Sequence, residues 1–144
     1  MHPDSATSRT QGEFAWSLGA GAGGIGAARQ AFVSWLAQVS SDDELLQDMS
    51  VVVSELASNA LDGGDPGEPE AEVRADLDGN VISLVVSNRL PDGATDIRRW
   101  DLEDPLRGGG RGLMIVRAYT DSLSGDSTGG TVSVHCTRRI DAAS

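Results

Sequence analysis

The sequence predicts an α+β fold, a two-layer α/β sandwich with helices on one face of a mixed, mostly antiparallel sheet. Three observations carry this expectation. Ala71, Val73, Ala75 and Leu77 alternate strictly with Glu72, Arg74 and Asp76, and a second, more thoroughly apolar run over residues 81–88 follows the turn Asp78-Gly79-Asn80. Leu45, Met49, Val52, Leu56 and Ala60 step by four, three, four and four residues, the spacing of one apolar stripe along a helix. A last pair of strands turns around Ser127-Thr128-Gly129-Gly130. The expected order is β-α-α-β-β-lid-α-β-β.

Taken in order, residues 1–12 are polar and aperiodic and read as a flexible N-terminal arm, followed by a single domain over residues 13–140. Phe14, Trp16 and Leu18 alternate, which suits a short half-buried strand. After a Gly-rich turn, Ala28, Phe32, Trp35, Leu36 and Val39 keep helical spacing over residues 25–39. Ser40-Ser41-Asp42-Asp43-Glu44 is a helix start: Ser or Asp can cap free N–H groups, and acidic residues suit the positive end of the dipole. The long helix that follows stops at Asp62-Gly63-Gly64-Asp65-Pro66-Gly67. Residues 89–112 lack periodicity and read as a lid, since long structureless segments in a domain are commonly functional. An apolar helix is expected over residues 113–120, then strands near residues 121–125 and 131–138.

Composition excludes several chemistries. The chain has 144 residues, with 22 Asp+Glu against 11 Lys+Arg and a formal net charge of −11. Every one of those basic residues is Arg. A P-loop, which needs a Lys on the β/γ-phosphates, is therefore ruled out, as are Schiff-base and pyridoxal-phosphate chemistry. Acidity, with a pI near 4.3, argues against nucleic acid and against anionic membrane as partners. One cysteine closes no internal disulfide and fits a reducing, cytoplasmic compartment. No apolar run reaches the roughly 20 residues of a membrane span, and residues 1–11 carry no apolar signal-peptide core. The 18 glycines gather largely in three clusters, at residues 19–26, 63–67 and 108–112, which points to local loop function.

Chemistry concentrates in two of these places. Glu55 and Asn59 are four residues apart on one side of the long helix, about 100° and 60° round from Leu56, and so flank the buried stripe. Alone, such a pair is more often an ordinary polar flank. Gly108-Gly109-Gly110-Arg111-Gly112 runs into a helix, and a Gly-rich loop at a helix start presents converging N–H groups to an anion; alone, it is equally a hinge.

Together these segments resemble a known superfamily. Ser54-Glu55-Leu56-Ala57-Ser58-Asn59-Ala60 is similar to the N-box of the Bergerat-fold (GHKL) ATPases, which include gyrase, histidine kinases, the ninety-kilodalton heat-shock chaperone and MutL. Gly110-Arg111-Gly112-Leu113-Met114-Ile115-Val116 resembles that superfamily's second glycine box. The helix pair before the N-box and the short lid make the chain most similar to the anti-sigma-factor serine/threonine kinases of bacterial partner switching. The resemblance implies the histidine-kinase-like ATPase fold, with ATP and Mg²⁺ as cofactors. It assigns Asn59 to Mg²⁺ and Glu55 to polarising the attacking hydroxyl or water. It also assigns Gly108, Gly110 and Gly112 to close backbone approach to the phosphates. Arg111 either contacts a terminal phosphate or is a surface Arg. The family's first glycine box is usually Asp-x-Gly; here the strand ends Ser87-Asn88-Arg89-Leu90, so Asn88 takes the place of the Asp that accepts from adenine and Leu90 takes the Gly place. An amide oxygen still accepts such a bond but without charge assistance.

The implied function is a cytoplasmic, homodimeric Mg-ATP-dependent kinase that sequesters a sigma factor and phosphorylates a STAS-domain anti-anti-sigma protein. The alternative is a degenerate nucleotide-fold module that sequesters a partner without kinase activity. Only His2 precedes the domain, so a phosphate acceptor is expected on another protein. Cys136 alternates with Val132 and Val134 and reads as core, His135 as a solvated residue. Trp100 is a lid clamp or a partner-facing aromatic.

Overall fold

Alternating burial along four strands sets the architecture. In the computed structural model, which describes residues 8–10, 12–18, 22–63, 71–89 and 111–140, the strands are β1 (Ser8–Thr10), β2 (Glu13–Leu18), β3 (Ala71–Asp78), β4 (Val81–Arg89), β5 (Ser122–Thr128) and β6 (Thr131–Arg139). The helices are α1 (Ala22–Val39), α2 (Asp43–Gly63) and α3 (Arg111–Tyr119). Even-numbered residues of β4, those of β6 from Val132 to Cys136, and odd-numbered residues of β3 from Ala71 to Ala75 are buried on one face. The opposite face carries the row Ser17, Glu72, Ser87, Ser133 and Asp126, aligned strand to strand. Only one face of the sheet is apolar, so the domain has two layers.

The strand order is β1-β2-β3-β4-β6-β5, and all five pairings are antiparallel. The sandwich is as expected; the mixed character is not, because no parallel pair occurs among the described residues. The connections explain it. Two helices between β2 and β3 carry the chain across the layer and back, so β3 returns antiparallel to β2. The single helix between β4 and β5 makes those strands run the same way, but β6 is inserted between them and pairs antiparallel to both.

A second correction concerns the N-terminus. Ser8–Thr10, within the segment read as a flexible arm, pairs with β2 through Arg9↔Phe14 and its neighbours. A three-residue edge strand needs only the free backbone groups of β2 and therefore leaves no apolar period in the sequence. Helix α1 likewise begins at Ala22, inside the glycine cluster read as a turn. Intrinsic propensity disfavours Gly23, Gly24 and Gly26 there by about 1 kcal/mol each, and packing of the face behind them overrides it.

Packing follows the predicted stripes. Leu45, Met49, Val52, Leu56 and Ala60 are all buried, with Val53 and Ala57 widening the face of α2. Helix α1 buries Ala28, Phe32, Trp35 and Leu36. Phe14, Phe32 and Trp35 form an aromatic triad over β2, with centroids 5.7 to 5.9 Å apart. The start of α2 is capped as its sequence suggests: Asp42 Oδ1 accepts from the N–H groups of Glu44 (3.0 Å) and Leu45 (3.3 Å). Gly129 and Gly130 both have positive φ, 60° and 84°, as the two-residue turn between β5 and β6 requires. Among the described residues, no helix is long and apolar enough to cross a membrane.

Candidate functional site

Strand directions place the end of β2, the start of α1, the end of α2, the start of β3, the end of β4, the start of α3 and the start of β6 at one end of the sandwich. Asn59 lies four residues before the end of α2, Asn88 one residue before the end of β4, and Gly112 is the second residue of α3. The topology thus gathers at one end the residues that were far apart in sequence. Gly108 and Gly110, most of the lid segment and Trp100 lie outside the described residues.

Helix α2 has two distinct flanks. Ser54, on one of them, accepts a bond from Arg29 Nη1 of α1 (3.3 Å). Glu55 and Asn59, both half-buried, lie on the other, together with Asp48, which is seven and eleven residues earlier. At about 100° per residue these separations bring all three within roughly 40° of one another. This flank faces α3, since Arg138 Nη1 joins Asp48 Oδ2 (3.2 Å) to the carbonyl oxygen of Tyr119 (2.9 Å) at the last residue of α3.

Asn59 Nδ2 is buried and has no hydrogen-bond partner among the described residues. Buried polar atoms are nearly always paired, so an amide held in this way is suited to a ligand. It fits Mg²⁺ in one specific manner. Among the described residues no group of three or more His, Cys, Asp or Glu is placed to hold a metal. If Mg²⁺ binds here, Asn59 would hold it through its side-chain oxygen, and the ion would supply charge neutralisation to an anionic ligand.

Asn88 is 7% exposed, the one buried polar side chain among the described residues. It stands on the helix-facing side of β4, opposite Ala71 and Val132, and its Nδ2 reaches the Arg89 carbonyl only at 3.5 Å. With Leu18 and Ala71 it lines an open pocket of about 540 Å³ at the sheet's end, which extends onto the opposite sheet face along Ser17, Glu72, Ser87, Arg89 and Thr131. Glu55 and Asn59 are not in that lining; they sit on α2 at the same end. Thr131, paired with Arg89, was missed in the sequence, although a Thr straight after Gly129-Gly130 begins a strand at this end. Arg138 was missed as well. Its parity with the buried Val132, Val134 and Cys136 was the signal, because an Arg at a core-facing position demands a partner. Cys136 is fully buried, and burial pushes its thiol up to about 12, so it is core and no nucleophile.

A helix flank carrying a half-buried carboxylate and an amide, faced by a second helix whose first turn lies at the same end, makes this end of the α/β sandwich the candidate site. The chain belongs to the histidine kinase-like ATPase domain family, whose model matches residues 20–136. Two solved structures share the fold. One is the RsbU and RsbW domains of Rv1364c from Mycobacterium tuberculosis, 20% identical with a TM-score of 0.67 over 89% of this chain and 32% of that one. The other is the SiaB-SiaC complex from Pseudomonas aeruginosa, 16% identical with a TM-score of 0.63 over 85% of this chain and 87% of its counterpart. The chain therefore spans about a third of the length of the first. Among curated proteins no sequence match is found.

Proposed function

We propose that the chain is a MgATP-binding anti-sigma factor and protein serine/threonine kinase, cytoplasmic and homodimeric, that sequesters a sigma factor and phosphorylates a STAS-domain antagonist. Residues 13–140 act as one domain with a lid over residues 89–112. The observation that carries the reading is the buried side-chain nitrogen of Asn59, unpartnered among the described residues, one helical turn beyond the half-buried Glu55. Likeness of fold to an RsbW domain and to the SiaB-SiaC complex supports it.

In this reading Asn59 holds Mg²⁺ through its amide oxygen. The ion supplies charge neutralisation at the phosphates, where phosphoryl transfer needs it most. Glu55 orients the acceptor hydroxyl and takes its proton. The backbone at Gly108, Gly110 and Gly112 and the free N–H groups at the start of α3 cradle the phosphates, with Arg111 toward the terminal one. Asn88 meets the base at the end of β4, beside the helix-facing Leu18 and Ala71. One observation favours a second reading, a sequestering module without kinase activity: Asn88 stands where the family has Asp, which removes charge assistance from the base contact.

Titration with ATP and Mg²⁺, beside an Asn59→Ala variant, separates the two. Saturable Mg-dependent binding that the variant loses supports the kinase. Absence of binding at millimolar ATP rejects it in favour of the sequestering module.

A further inference from the structure

Arg138 occupies a core-facing position at the end of β6 farthest from the pocket, opposite Ile82 in register. Its Nη1 donates to Asp48 Oδ2 at 3.2 Å and to the Tyr119 carbonyl oxygen at 2.9 Å, and the Arg138 and Asp48 side chains are 21% and 18% exposed. One guanidinium therefore ties the sheet to the first half of α2 and to the last residue of α3. The cation also meets the negative end of the α3 dipole. At an only partly solvated site such a charge-assisted pair is held in one geometry more firmly than a surface ion pair.

The latch acts on the flank that carries the site. From Asp48 to Asn59 is eleven residues, about 16 Å along α2, and the nine residues of α3 span about 13 Å. With its last residue pinned beside Asp48 and its direction opposed to that of α2, α3 lies along the Asp48-Glu55-Asn59 flank. Its first turn arrives within about one helical turn of Asn59. The spacing between the two helices decides where the N–H groups of that first turn stand relative to Asn59 and Glu55.

We propose that Arg138 is a positioning residue for nucleotide binding and phosphoryl transfer, holding α3 against α2 at the end opposite the nucleotide so that its first turn meets the phosphates in register with Asn59. This rests on the nucleotide reading given above. Arg138 touches no substrate; it acts through α3. Both bonds leave the one Nη1 nitrogen, whose two N–H groups are fixed in the guanidinium plane, whereas a Lys ammonium keeps the charge on a shorter stem without that fixed geometry.

The test compares wild type, Arg138→Met, Arg138→Lys and Asp48→Asn, each well below its own melting temperature and with wild-type circular dichroism. MgATP dissociation constants and amide hydrogen exchange across α3 in the free protein are read together. Arg138→Met is expected to weaken MgATP by about tenfold, the scale of one charge-assisted contact, and to speed exchange in α3. Arg138→Lys, which keeps the charge without the planar geometry, and Asp48→Asn, which keeps the Tyr119 contact, are expected to fall between it and wild type. A folded Arg138→Met that melts earlier but binds MgATP within about twofold of wild type overturns the proposal and leaves Arg138 as a stabilising contact only. If Arg138→Met does not fold, Asp48→Asn decides alone: unchanged affinity overturns the proposal, weakened affinity with faster α3 exchange supports it. Failure of the wild type itself to bind MgATP is the distinct result that removes the nucleotide reading, and the positioning role with it.

Discussion

Replacing Asn59 by Ala should make the ligand-free protein more stable. Asn59 Nδ2 is buried without a partner, and an unsatisfied buried donor costs about 1–3 kcal/mol. Ala also exceeds Asn in helix propensity by roughly 0.6 kcal/mol in the interior of a helix such as α2. Against this stands the lost packing of a half-buried amide, on the order of 0.5–1 kcal/mol. The balance is a gain of about 1–2 kcal/mol, or roughly 3–6 °C in melting temperature for a chain of this length.

Thermal melts followed by circular dichroism, with and without MgATP, read the effect directly. Without nucleotide the variant should melt above wild type. At a ligand concentration of about 100 times the dissociation constant, wild type gains roughly 2.7 kcal/mol by mass action while the variant gains little, so the order of the two melts inverts. A variant that melts well below wild type without nucleotide would refute the reasoning, since the amide would then be making a structural bond in the folded protein. Sites kept for a ligand at the expense of stability are a recurring feature of binding proteins, and this inversion is how one is recognised.

Four further outcomes follow. Glu55→Gln should bind MgATP within about twofold of wild type and lose phosphate transfer to a STAS partner by about a hundredfold or more, the scale of a general base; labelled-phosphate transfer checks it. Because burial raises the Cys136 thiol from 9.0 to about 12, iodoacetamide should label native protein at least about a thousandfold more slowly than unfolded protein at pH 8. The same shift makes the neutral thiol's contribution to stability complete below 9.0 and progressively lost as pH rises toward about 12, which denaturant titrations across that window detect. With a net charge of −11 facing an anionic nucleotide, MgATP affinity should hold or rise as salt increases from about 10 mM to 150 mM, and a steep fall would mean that long-range attraction drives binding.

The stripe of α2 and the alternation in β3, β4 and β6 were readable because a period of 3.6 or 2 is imposed by a single buried face, and each of Leu45, Met49, Val52, Leu56 and Ala60 meets it. What was not readable depends on neighbours remote in sequence. The pairing of Ser8–Thr10 is backbone to backbone, so its side chains carry no record of it. The insertion of β6 between β4 and β5 is a matter of strand order, to which local pattern is blind. Of the site, Glu55 and Asn59 could be assigned to one flank from spacing alone, and Asn88 to a strand end. That their flank faces α3 became evident only through Arg138, whose two acceptors lie 90 and 19 residues away in sequence.

The two flanks of α2 give a physical reason for proposing the site there and nowhere else along the helix. Its core-facing side is filled by aliphatic residues and has no room for a polar ligand. The flank toward α1 is occupied by the Arg29 bond to Ser54, and Ser54 and Ser50 bond back to the carbonyls of Ser50 and Gln47. On the α3 side, Asp48 is satisfied by Arg138 at the far end, whereas Asn59 at the near end is left with an unpaired nitrogen. The same flank is thus closed at one end and open at the other. It opens where α3 begins and where the strands stop at Asn88 and Thr131. A ligand that brings its own metal-coordinating oxygens and accepts bonds from backbone N–H groups completes that end without a Lys, which this chain does not possess.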